Sequence, residues 1–217
     1  MRRILYTAAF GLLAMSLAAN ADVTLSLDPV DGTVPGSPGD TVGWGYALDN
    51  NTSDYLLVSY SSFCEAGQDP LFTTCSPNLG ASTYTDYLSS NFILLAPGDN
   101  ATGAFDPTTI SGVGEYSIDP TAAPGSSDSG NITVIYDLFE SDPTQLDPTT
   151  GLPAVQDCSN INVDGVNVCD FEISAAATVN VPGPASAAPE PRLLLIIGAC
   201  LAALIIRRAF PGKAAAK

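Results

Sequence analysis

Histidine is absent from this chain, and lysine and arginine together number seven against 23 acidic residues. The seven sit at the two ends: Arg2 and Arg3, then Arg192, Arg207, Arg208, Lys213 and Lys217. From Asp22 to Pro191 no side chain carries positive charge. Each absence removes a chemistry. Without histidine there is no Ser-His-Asp or Cys-His machinery. Without lysine in the interior there is no Schiff base and no Lys-Asn isopeptide link. Without arginine, an oxyanion or phosphate clamp has to come from backbone or from a metal. Twenty-two of the acids lie within residues 22–181. So acidic a surface repels nucleic acid and anionic lipid, and no nucleic-acid partner is expected. It attracts divalent cations and suits high salt, which screens self-repulsion.

Long apolar runs are scarce too, with one at each end. At the N-terminus Arg2 and Arg3 precede a largely apolar stretch, residues 4–18. Ala19-Asn20-Ala21 then fits the small-x-small cleavage rule of a secretory signal, with Asp22 as the first mature residue. The second run, residues 193–206, has fourteen residues. A helix of that length covers roughly 21 Å. A bilayer core is about 30 Å thick and usually takes about 20 residues. The run is apolar on all sides and stops at Arg207 and Arg208, in the manner of a stop-transfer segment. It therefore reads as a short C-terminal hydrophobic helix, too short for a well-built permanent anchor. Basic residues stay on the cytoplasmic side, so both ends are expected inside and everything between them exported.

Just before the second run stands "PGPASAAPEP", residues 182–191, with four prolines. Proline fixes φ and extends the residue before it, so Pro189 and Pro191 hold Glu190 extended, as a processing cleft requires. The whole stretch reads as a semi-rigid spacer of roughly 30 Å at polyproline pitch. The order of Pro189-Glu190-Pro191, a short hydrophobic helix and the Arg207-Arg208 cluster, behind a signal peptide, resembles the PEP-CTERM proteins of bacteria. The resemblance covers about 30 residues of tail. It implies export by the Sec machinery, an inner-membrane-anchored precursor and recognition by an exosortase-type membrane transpeptidase. The processed domain would pass to the cell surface or extracellular matrix. The tail departs from the pattern in Arg192, directly after the motif, and in residues 209–217 beyond the arginines.

The chain thus divides into a signal peptide (1–21), an ectodomain (22–181), a spacer ending in the motif (182–191), and the hydrophobic helix with its basic tail (192–217). The ectodomain is long enough for one well-buried core. Apolar and polar residues alternate at 23–27, 41–48, 55–62, 91–95, 115–118, 131–139, 161–163, 166–173 and 177–181. These segments are rich in Val, Ile, Thr and Tyr and are separated by Gly, Pro, Asn and Asp. Asp-Pro occurs six times, at Asp28, Asp69, Asp106, Asp119, Asp142 and Asp147, and marks turns. Eight or nine strands in one exported domain predict an all-β, immunoglobulin-like β-sandwich. Residues 119–130 and 141–157 are expected as long loops. Trp44, the only tryptophan, is expected in the core.

Cysteine supplies the clearest internal signal. Cys64 and Cys75 are eleven apart, and so are Cys158 and Cys169. In an exported chain an even set reads as disulfides, and of the three connectivities the two local pairs are expected. For the second pair, Asp164-Gly165 suits a two-residue hairpin turn. That turn sets 163 opposite 166 and 160 opposite 169, leaving Cys158 a diagonal neighbour of Cys169. Zinc would need tight Cys pairs or histidine. Asn160, Asn162, Asp164 and Gly165 match the first half of a calcium loop, but its twelfth position is Phe171 instead of a bidentate glutamate. No cofactor is called for; weak Ca2+ binding between carboxylate-rich loops follows from the charge, with no site to name. Sequons occur at Asn51, Asn100 and Asn131.

No catalytic residue is assigned. The leading expectation is a non-enzymatic surface or matrix protein. A carbohydrate- or calcium-dependent adhesion module, with extracellular polysaccharide as partner, is the second. A secreted glycosidase working through two carboxylates is the third, since that chemistry needs no cation.

Overall fold

The computed structural model describes residues 22–71, 73–161 and 167–184. Among them are twelve strands and one 3-10 turn, Leu88–Ser90. The strands are β1 (Val23–Asp28), β2 (Thr33–Pro35), β3 (Thr41–Asn50), β4 (Tyr55–Glu65), β5 (Thr83–Asp86), β6 (Leu94–Leu95), β7 (Asn100–Gly103), β8 (Gly114–Ser117), β9 (Ser127–Phe139), β10 (Asn160–Ile161), β11 (Asn167–Val168) and β12 (Asp170–Asn180).

Ten of them form two five-stranded sheets, and β10 and β11 pair in a separate two-stranded ladder. The first runs β1-β3-β8-β5, with β7 also on β3; the second runs β2-β12-β9-β4-β6. All pairs are antiparallel except β2 with β12. One cluster of buried side chains draws on both sheets: Leu27, Trp44, Leu48 and Tyr116 from the first, and Leu56, Phe63, Ile132, Val134 and Val179 from the second. The architecture is therefore a β-sandwich around a single core. Trp44 is fully buried, as expected, and its indole Nε1 donates to the Gly32 carbonyl at 2.7 Å. Its ring stacks on Phe63 at 6.0 Å and meets Tyr116 edge-on at 6.5 Å. Gly32 has φ +66, and a Cβ there would lie 2.0 Å from the Ala176 carbonyl oxygen. Only glycine brings this carbonyl to the indole.

The longest strand, β9, pairs along most of its length with both β12 and β4. Its "ITVIY" segment is buried on both faces: Ile132, Val134 and Tyr136 toward the core, Thr133 and Ile135 away from it. A strand buried twice reads as a continuous apolar run in the sequence. In β4 the register shifts between Val58 and Tyr60, a bulge at Ser59. Leu56 and Val58 point inward before it; Ser61 and Phe63 point inward after it.

Several expected boundaries move. Residues 91–95 were expected as a strand, but only Leu94–Leu95 pair, because the Leu88–Ser90 turn takes up the preceding chain. The expected segments 166–173 and 177–181 become β11 and one continuous strand, β12, since three alanines at 175–177 lie along β9 without interruption. The loop expected over 119–130 ends at 126, and β9 begins at Ser127. β2, β5 and β7 carry too little apolar alternation to show in the sequence; they are held by neighbours already in place. The expected C-terminal helix, the hairpin turn at Asp164-Gly165 and the spacer's end lie outside the described residues.

Candidate functional site

No lysine, arginine or histidine lies among the described residues, so each carboxylate is stabilised by neutral donors or by water. The Asp-Pro-Thr turns show how. At Asp106, Asp119 and Asp142, one carboxylate oxygen accepts both the backbone N–H and the hydroxyl of the threonine two residues on, at 2.6 to 2.9 Å. Asp147 accepts the N–H groups of Thr149 and Thr150. These hydrogen bonds hold all four carboxyls below the usual carboxylate range, with Thr108 acting on Asp106, Ala81 and Thr121 on Asp119, Thr144 on Asp142, and Thr150 on Asp147. The turns expected from Asp-Pro are Asx turns built on the acids themselves.

Other acids are pushed the opposite way. Asp137 and Asp170 stand directly opposite each other on β9 and β12. Burial raises Asp137, and the Asp170 charge adds to it; the Ser59 hydroxyl and Gln156 amide hold it down in part. Glu172 is raised by burial and by Asp69. Asp69 belongs to the loop closed by the first disulfide, and its charge also raises the Tyr60 hydroxyl, after burial and Asp170. No three metal-ligating side chains converge among the described residues. The expected calcium thus has no assigned site, and Asn162, Asp164 and Gly165 of the half-loop lie outside those residues.

Both local disulfides are present, Cys64–Cys75 and Cys158–Cys169. The register around the second differs from expectation. Asn160 pairs with Val168, and Ile161 with Asn167, one residue off the register of a two-residue Asp164-Gly165 turn. Five residues then lie between Ile161 and Asn167, where a two-residue turn leaves an even number between partners. Cys169 belongs to no ladder: it sits where the chain leaves β11 and enters β12, whose pairing with β9 dictates its position. The long partner strand overrides the local turn preference.

A groove of about 330 Å³ lies between β4 and β5. Its back wall is a hydrogen-bonded lattice. The Ser61 hydroxyl lies 2.6 Å from Asp86 Oδ1 and 2.8 Å from the Tyr84 hydroxyl. Asp86 Oδ1 also accepts the N–H groups of Ser61 and Leu88, and Oδ2 that of Ser89. Burial pushes the Tyr84 hydroxyl well above the usual tyrosine range. Gly114 makes room for this ring: a Cβ there would meet the Tyr84 hydroxyl at 2.2 Å. The opposite wall is Cys75, Ser76 and Pro77, tied to β4 by the disulfide at Cys64. The rim hydroxyls of Ser62, Ser76 and Thr83 have no hydrogen-bond partner among the described residues.

None of Ser61, Tyr84 or Asp86 was marked by the sequence reading. The available signal was Asp86 two residues before a short Leu-Ser-Ser turn, an acid placed to cap its N–H groups. Among the residues that were singled out, Asp22 is exposed and accepts the Val23 N–H, and the sequon residues Asn51, Asn100 and Asn131 are exposed. Ala19, Ala21, Pro189, Glu190, Pro191, Arg207 and Arg208 lie outside the described residues. Among the described residues no helix is long and apolar enough to cross a membrane.

No protein-family model and no curated protein matches the chain. Among solved structures it is similar to the Vibrio cholerae VesB protease, at 9% identity and TM-score 0.33, covering 74% of this chain. The match spans about a third of the protease chain, 32%. It is also similar to the ASH/PapD-like domain 7 of human CEP192, at 8% identity and TM-score 0.29, over 83% of this chain and 99% of that domain. Similarities this loose carry no argument about activity.

Proposed function

We propose that this chain is an exported, non-enzymatic protein of the cell surface or extracellular matrix, sorted through its C-terminal tail. The observation that carries the reading is the tail: Pro189-Glu190-Pro191, fourteen apolar residues and Arg207-Arg208, in that order, behind a signal-like N-terminus. Two disulfides in one small domain support an oxidising destination. The non-enzymatic reading is supported by the groove: Ser61, whose hydroxyl donates to the Asp86 carboxylate, is only 3% exposed and does not present its oxygen to a substrate.

We also infer that the sandwich is of immunoglobulin-like type. Its seven principal strands in chain order are β1, β3, β4, β5, β8, β9 and β12. The first, second, fifth and fourth make one sheet; the third, sixth and seventh make the other. That is the constant-type immunoglobulin arrangement. Two departures accompany it. The buried tryptophan is on the second principal strand instead of the third, and neither disulfide joins the two sheets.

Glu190→Ala in the native host tests the sorting claim. A position in the proline-rich spacer, outside the ectodomain, predicts normal export and folding, with uncleaved precursor accumulating in the membrane fraction. Release or surface display at the wild-type rate would make the run an ordinary anchor and overturn the reading.

A further inference from the structure

We propose that the groove between β4 and β5 is a binding site for a neutral sugar, a short stretch of uncharged polysaccharide. Its volume, about 330 Å³, is at the small end for ligand pockets: enough for a few sugar atoms in contact, too little for a folded partner. Its surface is divided in a way that suits a polyol. Ser62, Ser76 and Thr83 are hydroxyls with both donor and acceptor capacity unspent, the same dual capacity a sugar hydroxyl brings. Pro77 and Tyr84 offer ring surface to sugar C–H faces.

Charge narrows the class further. An anionic ligand would meet Asp86 and find no cation among the described residues to pair with. A cationic ligand would have to compete for Asp86, whose two oxygens already accept the N–H groups of Ser61, Leu88 and Ser89 and the Ser61 hydroxyl. That carboxylate builds the wall and is spent in doing so. What remains is a neutral, hydroxyl-rich molecule. The lattice behind the groove and the disulfide in front of it hold both walls before any ligand arrives, which lowers the ordering cost of binding. No metal is required, because no carboxylate in the groove is free to hold one.

The site stands on groove chemistry alone, so it survives or fails independently of the sorting tail. The test uses the protein as purified from its host, titrated by calorimetry and by amide-shift NMR. The probes are neutral gluco-, manno- and galacto-oligosaccharides, with oligogalacturonate as the anionic control. The expected result is saturable binding of at least one neutral series at millimolar strength, ~1–10 mM, persisting in EDTA. Thr83→Ala and Ser62→Ala should each weaken it by about fivefold, the loss of one hydrogen bond. Thr83→Trp should block it, and Leu152→Ser, in the distant 140–159 loop, should leave it unchanged. Both groove positions are at the surface, so unchanged melting temperatures will separate binding loss from unfolding. Three outcomes would each overturn the proposal: no shift with any neutral probe, preference for oligogalacturonate, or loss of binding on chelation.

Discussion

Two rings of the same size sit in this chain, and they do different things. Both disulfides close eleven-residue separations. Cys64 is 2% exposed at the end of β4, so the first ring is fastened to the core. It supplies a wall of the groove through Cys75, Ser76 and Pro77. The second ring is fastened to the end of the second sheet, between Asp157, whose N–H donates to the Leu138 carbonyl, and Asp170, which pairs with Asp137. It closes β10 and β11, a separate two-stranded ladder, and follows the long 140–159 loop, in which Leu146, Leu152 and Val155 are all more than 60% exposed. The chain-entropy contribution is the same for both, about 3 kcal/mol. Equal spacing therefore does not mean equal function: what a crosslink holds depends on what its ends are packed against.

The contrast can be broken most forcefully in the core itself. Trp44→Ala removes a fully buried side chain, two aromatic contacts and the donor to Gly32. A loss of about 3–5 kcal/mol is expected, which is roughly 10 °C in a domain of this size. Leu152→Ser, at an equally apolar but 63% exposed position, should move the melting temperature by less than about 1 °C. Thermal unfolding of the two variants side by side checks this. A large loss from Leu152→Ser would mean that the 140–159 loop is packed like the core.

Opening the rings one at a time sharpens the comparison. Cys64→Ala with Cys75→Ala should cost about 3 kcal/mol and release the groove wall at residues 75–77, with the Ser76 amide gaining hydrogen exchange. Cys158→Ala with Cys169→Ala should cost less in global stability and show mainly as faster proteolysis within residues 140–161, since local opening there need not unfold the sheets. Equal protease sensitivity in both variants would remove the distinction.

Acid is the mildest probe. Asp106, Asp119, Asp142 and Asp147 have folded pKa values below their ordinary 3.8. Their stabilisation is complete above about pH 4 and is lost as pH falls through the depressed values. Asp137 and Glu172 are raised, so their contribution is present at low pH and lost as pH rises through the raised values. The melting temperature should therefore peak in weak acid and fall on both sides. On the acid side, protection around Asp142 and Asp147 should go first, because those turns have little core beneath them. A melting temperature that climbs steadily to pH 2 would show that the Asx turns contribute nothing.

Much of this was written in the chain. The all-β class follows from period-two alternation. The local disulfides follow from spacing, and the turns from Asp-Pro. All are properties of residues near one another in sequence. The 160/168 register was not legible, because β12 takes its position from β9 over eleven residues and a two-residue turn preference cannot resist that. Nor was the groove. Alternation counted from Leu56 and Val58 would turn Tyr60 inward and Ser61 and Phe63 outward. The single extra residue at Ser59 reverses this, sending Ser61 to Asp86 and Phe63 to Trp44. A bulge has no composition of its own. It exists because the two ends of β4 must both present apolar residues to one core while pairing with one partner strand, and that conflict arises only once the sheets are packed.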